Sequence, residues 1–80
     1  ELSLEELAFS MTELNAFQST TGSSSDVDEI YIFKGACQFT FGDQTVDTAK
    51  QDYVLVKKNT FRKICNTTAA TVVIFNVWKK

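Results

Sequence analysis

The sequence predicts an all-β domain, an antiparallel sandwich or barrel of short strands. Three observations carry that reading. β-branched and aromatic residues recur with a two-residue period; turn signals break the runs at intervals of about ten residues; and no segment shows the period of an amphipathic helix, in a chain with no proline and only three glycines.

Leu7, Phe9 and Met11 alternate with Ala8, Ser10 and Thr12, the pattern of a half-buried strand that residues 1–6 begin or precede as a helical turn. From Asn15 to Ser25 the chain is polar and low in complexity, a surface loop long enough to be functional or disordered. After Asp26-Val27-Asp28-Glu29, the run EIYIF, the turn Lys34-Gly35 and the run ACQFTF read as a hairpin. Gly42-Asp43 turns into a short strand around Thr45–Ala49, and Gln51-Asp52 leads into YVLV. The basic turn KKNT precedes FRKICN, and Asn66–Ala70 turns into the last strand, TVVIFNVW. Seven strands result.

Ile30–Phe33, Tyr53–Val56 and Val72–Phe75 are apolar on both faces, whereas a small antiparallel sandwich should alternate between core and water. A chain of 80 residues has no spare helices to cover an outer face. A second copy across a two-fold axis is the economical cover. It would also supplement a core expected to contribute only about 3–5 kcal/mol.

Composition excludes several function classes. A net charge of −2 and a pI near 4.9 give no overall pull toward nucleic acid or anionic membrane, so neither is an expected partner. No apolar run approaches the roughly 18–20 residues that span a bilayer. Cys37 and Cys65 belong to no metal-type cluster and read as two thiols of an intracellular protein, with one disulfide as the alternative. Asn66-Thr67-Thr68 matches a glycosylation sequon, which has meaning only in a secreted protein. Lys57, Lys58, Arg62 and Lys63 cluster near one another; Lys57, Lys58 and Lys63 are candidate partner-binding residues, against the plainer reading of solvated turns that keep sheet edges from pairing. Ser23, Ser24 and Ser25 precede acids and are candidate phosphorylation sites.

One spacing is more specific. Gln51, Lys57, Asn59, Arg62 and Asn66 stand where the second motif of the cupin superfamily places a glycine, a proline, a glycine, a histidine and an asparagine, and only Asn66 keeps the family's residue. Upstream, Gly35 closes the first motif, Asp28 takes the place of its glutamate ligand, and Glu29 takes it if the register slips by one. The two upstream histidine places fall on Thr21 and Ser23, or on Gly22 and Ser24. The chain thus resembles a small jelly-roll cupin barrel, a single domain over residues 1–80 that is expected to be a C-terminal piece of a longer protein.

A cupin metal site needs about three imidazoles and one carboxylate. The chain has no histidine, and Arg62, a permanent cation, stands in a ligand's place. No metal, no cofactor and no catalytic residue is therefore expected. Without histidine there is also no Ser-His or Cys-His pair. The alternative is a metal-independent cupin that binds or converts a small ligand, with Arg62 holding an anion and Asp28 or Tyr31 moving a proton. In the main reading Asp28 and Arg62 are vestigial metal-site positions that form a buried ion pair.

Among cupins without histidine ligands, DEIYIFKG, QDYVLVKKN and VVIFNVWKK are similar in layout to the C-terminal domain of the centromere protein C family. That resemblance implies homodimerisation of a kinetochore scaffold in the nucleus, at the centromere of the chromosome, with recruitment of a centromeric assembly factor. With Asp28 taken as inward-pointing, parity places Ile30, Ile32, Phe39, Val54, Val56 and Ile64 inside. Val73, Phe75 and Val77 join them as the cleaner apolar set of the last strand. Tyr31, Phe33, Tyr53, Leu55, Val72, Ile74 and Trp78 then form the expected dimer interface, and the interior is expected to be packed.

Overall fold

A computed structural model describes residues 6–50 and 52–79. Residues 1–5, Gln51 and Lys80, which include the possible start of the first strand and the first place of the second motif, lie outside them. Seven strands follow one another: β1 (Leu7–Leu14), β2 (Glu29–Lys34), β3 (Gln38–Phe41), β4 (Gln44–Asp47), β5 (Val54–Val56), β6 (Arg62–Cys65) and β7 (Val72–Lys79). They form a four-stranded sheet in the order β1-β7-β2-β5 and a three-stranded sheet in the order β4-β3-β6, all pairs antiparallel. A 3₁₀ turn at Thr48–Lys50 follows β4, where the sequence pattern continued the strand to Ala49.

The core lies between the sheets. Phe39, fully buried, packs its ring 4.8 Å from Tyr31, 5.3 Å from Phe33 and 5.4 Å from Phe41, measured between centroids. Such tilted aromatic contacts add to area burial. Leu14, Cys37, Val54, Val56, Ile64, Val72 and Ile74 complete the cluster. The β2–β3 turn passes through Gly35 at φ +128°, a conformation side-chain-bearing residues rarely adopt, and a Cβ there would stand 2.9 Å from Val72. Thr48 pins the same turn, donating to the Gly35 carbonyl and accepting from the Cys37 amide. Cys37 and Cys65 are both free thiols.

The loop of residues 15–25 is strapped to the barrel. Residues 18–23 run antiparallel to β6: Asn66 N–H donates to the Gln18 carbonyl, Thr20 N–H to that of Ile64, and Ser23 and Arg62 exchange both backbone bonds. Asn66, the motif residue the chain retains, is wholly buried and locks the strap's base. Its Nδ2 donates to the carbonyls of Leu14, Asn15 and Ala70, and its Oδ1 accepts from Thr68.

Three sequence expectations about faces are corrected by the pairing. Glu29 and Tyr31, not Asp28 and Ile30, point inward; Ile30 and Ile32 lie on the outer face of the four-stranded sheet. Val72 and Ile74 are buried in the core, so Val73, Phe75 and Val77 take the outer face. Trp78 pairs with Glu29 and therefore shares its inward side. Of the expected interface, Tyr31, Val72 and Ile74 are core, Phe33 packs against the core, and only Tyr53 and Leu55 stay exposed outside. Val54, Val56, Phe39 and Ile64 lie inside as expected.

In β1 the half-buried pattern runs opposite to a hydrophobic-in strand. Phe9 and Met11 are 78% and 59% exposed, while Ala8, Ser10 and Thr12 share the inward side of Trp78, Asn76 and Ile74. Ser10 and Thr12 are themselves exposed, so this side of the barrel is open where a packed core would receive large apolar side chains.

Candidate functional site

Parity brings a polar constellation into one half of the barrel. Tyr31 of β2 faces Asn76 of β7 and Asn76 faces Ser10 of β1, one layer across three strands. Glu29 lies one inward position further along β2, and Arg62 enters from β6 on the opposite sheet.

Arg62 and Glu29, 5% and 8% exposed, form a buried ion pair through Nη1 and Oε1. The Tyr31 hydroxyl donates to Glu29 Oε1 at 3.1 Å and accepts from Arg62 Nη1 at 3.3 Å. Asn76 Nδ2 donates to Glu29 Oε2 at 2.9 Å. Arg62 Nε and Nη2 both donate to the Thr60 carbonyl, at 3.2 and 3.0 Å, which fixes the guanidinium plane. The cost of burying two charges is offset because nearly every polar atom of the pair has a partner. Burial holds the Tyr31 phenol up at about 12 and lowers the Arg62 guanidinium from its usual value.

Beside this network a pocket of about 170 Å³ opens. Ser10 and Thr12 line one side, Thr20, Thr21 and Ser23 of the strap the other, with Tyr31, Arg62, Asn76, Ile64 and Ile74 completing it. The two upstream motif positions, Thr21 and Ser23, are thus brought to the same cavity as Arg62. The interior is not wholly packed. Asn76 Oδ1 is buried and, alone among the buried side-chain polar atoms of the described residues, has no hydrogen-bond partner.

The expected vestigial pair is present with one member exchanged. Asp28 lies outside, accepting from the Lys58 amide at 2.8 Å and facing Lys57 Nζ at 3.7 Å, an exposed contact that contributes little. Lys57, Lys58 and Lys63 are exposed and line none of this pocket. Sequence reasoning missed Asn76, Ser10 and Thr12. The available signal was Asn76 itself, a lone polar residue inside the apolar run VVIFNVW, which needs a buried partner.

The donor set does not fit a cupin metal. Among the described residues its single inward carboxylate is already bonded to Arg62, Tyr31 and Asn76, no imidazole exists in the chain, and a guanidinium stands beside it. Among the described residues no three of His, Cys, Asp and Glu gather.

Two antiparallel sheets enclosing a partly polar interior define the class of this fold, the cupin barrel. Solved structures agree. A cupin superfamily protein from Desulfitobacterium hafniense is similar with TM-score 0.78 at 16% identity, over 98% of this chain and 71% of that one. A predicted oxalate decarboxylase from Thermotoga maritima has TM-score 0.81 at 18% identity, over 94% and 68%. KdgF from Halomonas sp. has TM-score 0.78 at 13% identity, over 94% and 70%. No family model matches the sequence, and no curated protein matches it. At such identities the likeness carries the fold alone, and it bears on the cupin part of the sequence resemblance, not on the centromere part.

Proposed function

We propose that this domain binds a small organic molecule in the Arg62 pocket, without a metal ion. The observation that carries the reading is the hydroxyl-lined cavity built around the Arg62–Glu29–Asn76 network, inside a barrel whose sequence could have filled it with Phe9 and Met11. The oxalate decarboxylase prediction for one structural neighbour supports an organic occupant for such a barrel.

Binding is favoured over turnover. Both oxygens of Glu29 accept hydrogen bonds, so it is a weak candidate base, and Tyr31, held up at about 12, is a weak acid at neutral pH. The test is thermal unfolding after exhaustive chelation, against a panel of sugars, carboxylates and phosphates. A ligand at a hundredfold its Kd adds about 2.7 kcal/mol, so a rise of roughly 10 °C or more is expected for at least one class in a domain of this size. Stabilisation by zinc or manganese and by no organic ligand would overturn the reading.

A second reading concerns the outside, and the two are compatible. Phe9, Met11, Ile30, Ile32 and Leu55 are exposed on one face of the four-stranded sheet, with Glu13, Lys34 and Lys79 at its ends. This supports homodimerisation through that face, in a chain with a small core of its own. A centromere scaffold recruiting an assembly factor in the nucleus is the narrower form of this reading. It is supported only by the layout of DEIYIFKG, QDYVLVKKN and VVIFNVWKK, and nuclear mislocalisation or a centromere-independent distribution in cells would end it.

A further inference from the structure

We infer that the pocket's ligand is a neutral polyhydroxylated molecule, a polyol or monosaccharide, rather than an anion or a cation. This rests on the ligand-binding reading and narrows it.

Charge is the first argument. Among the described residues Arg62 is the only cation lining the pocket, and its charge is matched by Glu29 in direct contact, while Nε and Nη2 are committed to the Thr60 carbonyl. An anion would have to compete with a carboxylate already in place. A cation would face the guanidinium. The net field of the pair favours neither.

Hydrogen-bond demand is the second. Asn76 lines the pocket with its Nδ2 committed to Glu29 Oε2, so the polar groups left for a ligand are hydroxyls. The exposed residues Ser10, Thr12, Thr21 and Ser23 line it, and none of their hydroxyls enters the hydrogen bonds that hold the network together; Thr20 is spent on the Ile64 backbone. Hydroxyls donate and accept in turn, as sugar hydroxyls do. A site built this way discriminates strongly against analogues that lack the hydroxyl.

Shape is the third. Ile64, Ile74 and the Tyr31 ring give the pocket apolar surface for the C–H faces of a polyol, opposite its polar rim. The volume of about 170 Å³ is somewhat larger than the roughly 150 Å³ cavity that accommodates benzene. That admits a chain or ring of three to six carbons.

The experiment is a ¹H–¹⁵N correlation titration of the chelated protein with glycerol, erythritol, D-xylose and D-glucose, and in parallel with acetate, oxalate, phosphate and ammonium. Saturable shifts of the Asn76 side-chain amide and of the Thr21 and Ser23 backbone amides are expected with at least one polyol. Thr21→Val with Ser23→Ala should weaken that binding at least tenfold with an unchanged melting temperature, while Ser24→Ala, next to the pocket but outside it, should not change it. Shifts with oxalate, phosphate or ammonium and with none of the polyols would overturn the ligand class and keep the binding reading. If no probe moves these resonances, the binding reading itself falls, and polyol binding indifferent to Thr21 and Ser23 would refute the placement.

Discussion

Replacing Arg62 by methionine probes the network from which the pocket is built. The substitution keeps the aliphatic stem and leaves Glu29, 8% exposed, with only the Tyr31 hydroxyl and Asn76 Nδ2 as donors; it also strips the Thr60 carbonyl of two bonds. Breaking one side of a buried ion pair costs about 3–5 kcal/mol. That equals the whole stability a core of this size is expected to supply, about 3–5 kcal/mol, so Arg62→Met should be largely unfolded at neutral pH. Adding Glu29→Gln removes the stranded charge and keeps an acceptor for Tyr31 and Asn76. The double variant should regain at least half of the loss, or about 2 kcal/mol, which moves a urea midpoint by about 1–2 M at the slope usual for small domains. Urea unfolding followed by far-ultraviolet circular dichroism and Trp78 fluorescence measures both. A loss below about 1 kcal/mol for Arg62→Met, or a double variant no better than the single, would show that the pair is solvated and does not organise the pocket.

Further tests reach other parts of the account. Tyr31 has a folded-state value of about 12, above its ordinary 10, so the unfolded chain loses this proton first as the solution turns alkaline. Stability from this group is intact below about pH 10 and declines toward pH 12 by about 2–3 kcal/mol, and Tyr31→Phe should flatten that part of the pH profile relative to wild type. Asn66→Leu would strand the buried carbonyl of Leu14 together with the partly buried ones of Asn15 and Ala70, and should destabilise by about 2–4 kcal/mol in thermal melts. Ile32→Glu with Phe75→Lys, cross-strand neighbours on the outer face, should give a folded monomer by sedimentation. A wild type already monomeric at high micromolar concentration would end the dimer reading.

Fold and site were legible to different degrees, and β2 and β7 show why. The turns at Gly35, Gly42 and Asn66 and the two-residue period located all seven strands, because turn chemistry and β-branched runs are local signals. Which face points inward is not local. EIYIF and VVIFNVW are apolar at odd and even positions alike, so alternation says nothing, and a single-residue slip exchanges both sets. Anchoring parity on Asp28 moved Tyr31, Val72 and Ile74 outside and paired Arg62 with Asp28, while Glu29, the alternative for a register slip of one, is the partner the structure shows. In β1 the pattern was clear and its sense was reversed, since Phe9 and Met11 point away from the barrel and Ser10 and Thr12 into it. The buried ion pair itself was readable, because Arg62 stood at a motif position that must face inward. The strap was not, since no composition signal tells that Gln18–Ser23 hydrogen-bonds to β6.

The most direct measurement is a crystal structure of the chelated protein at a resolution that shows ordered solvent and small ligands, grown with a polyol that stabilises it. The account predicts the polyol in the pocket with its hydroxyls in hydrogen-bond contact with Thr21 or Ser23, and Arg62 still paired to Glu29. A metal ion coordinated by Glu29, or a pocket closed by inward rotation of the strap with Asn76 Oδ1 bonded to protein, would contradict it.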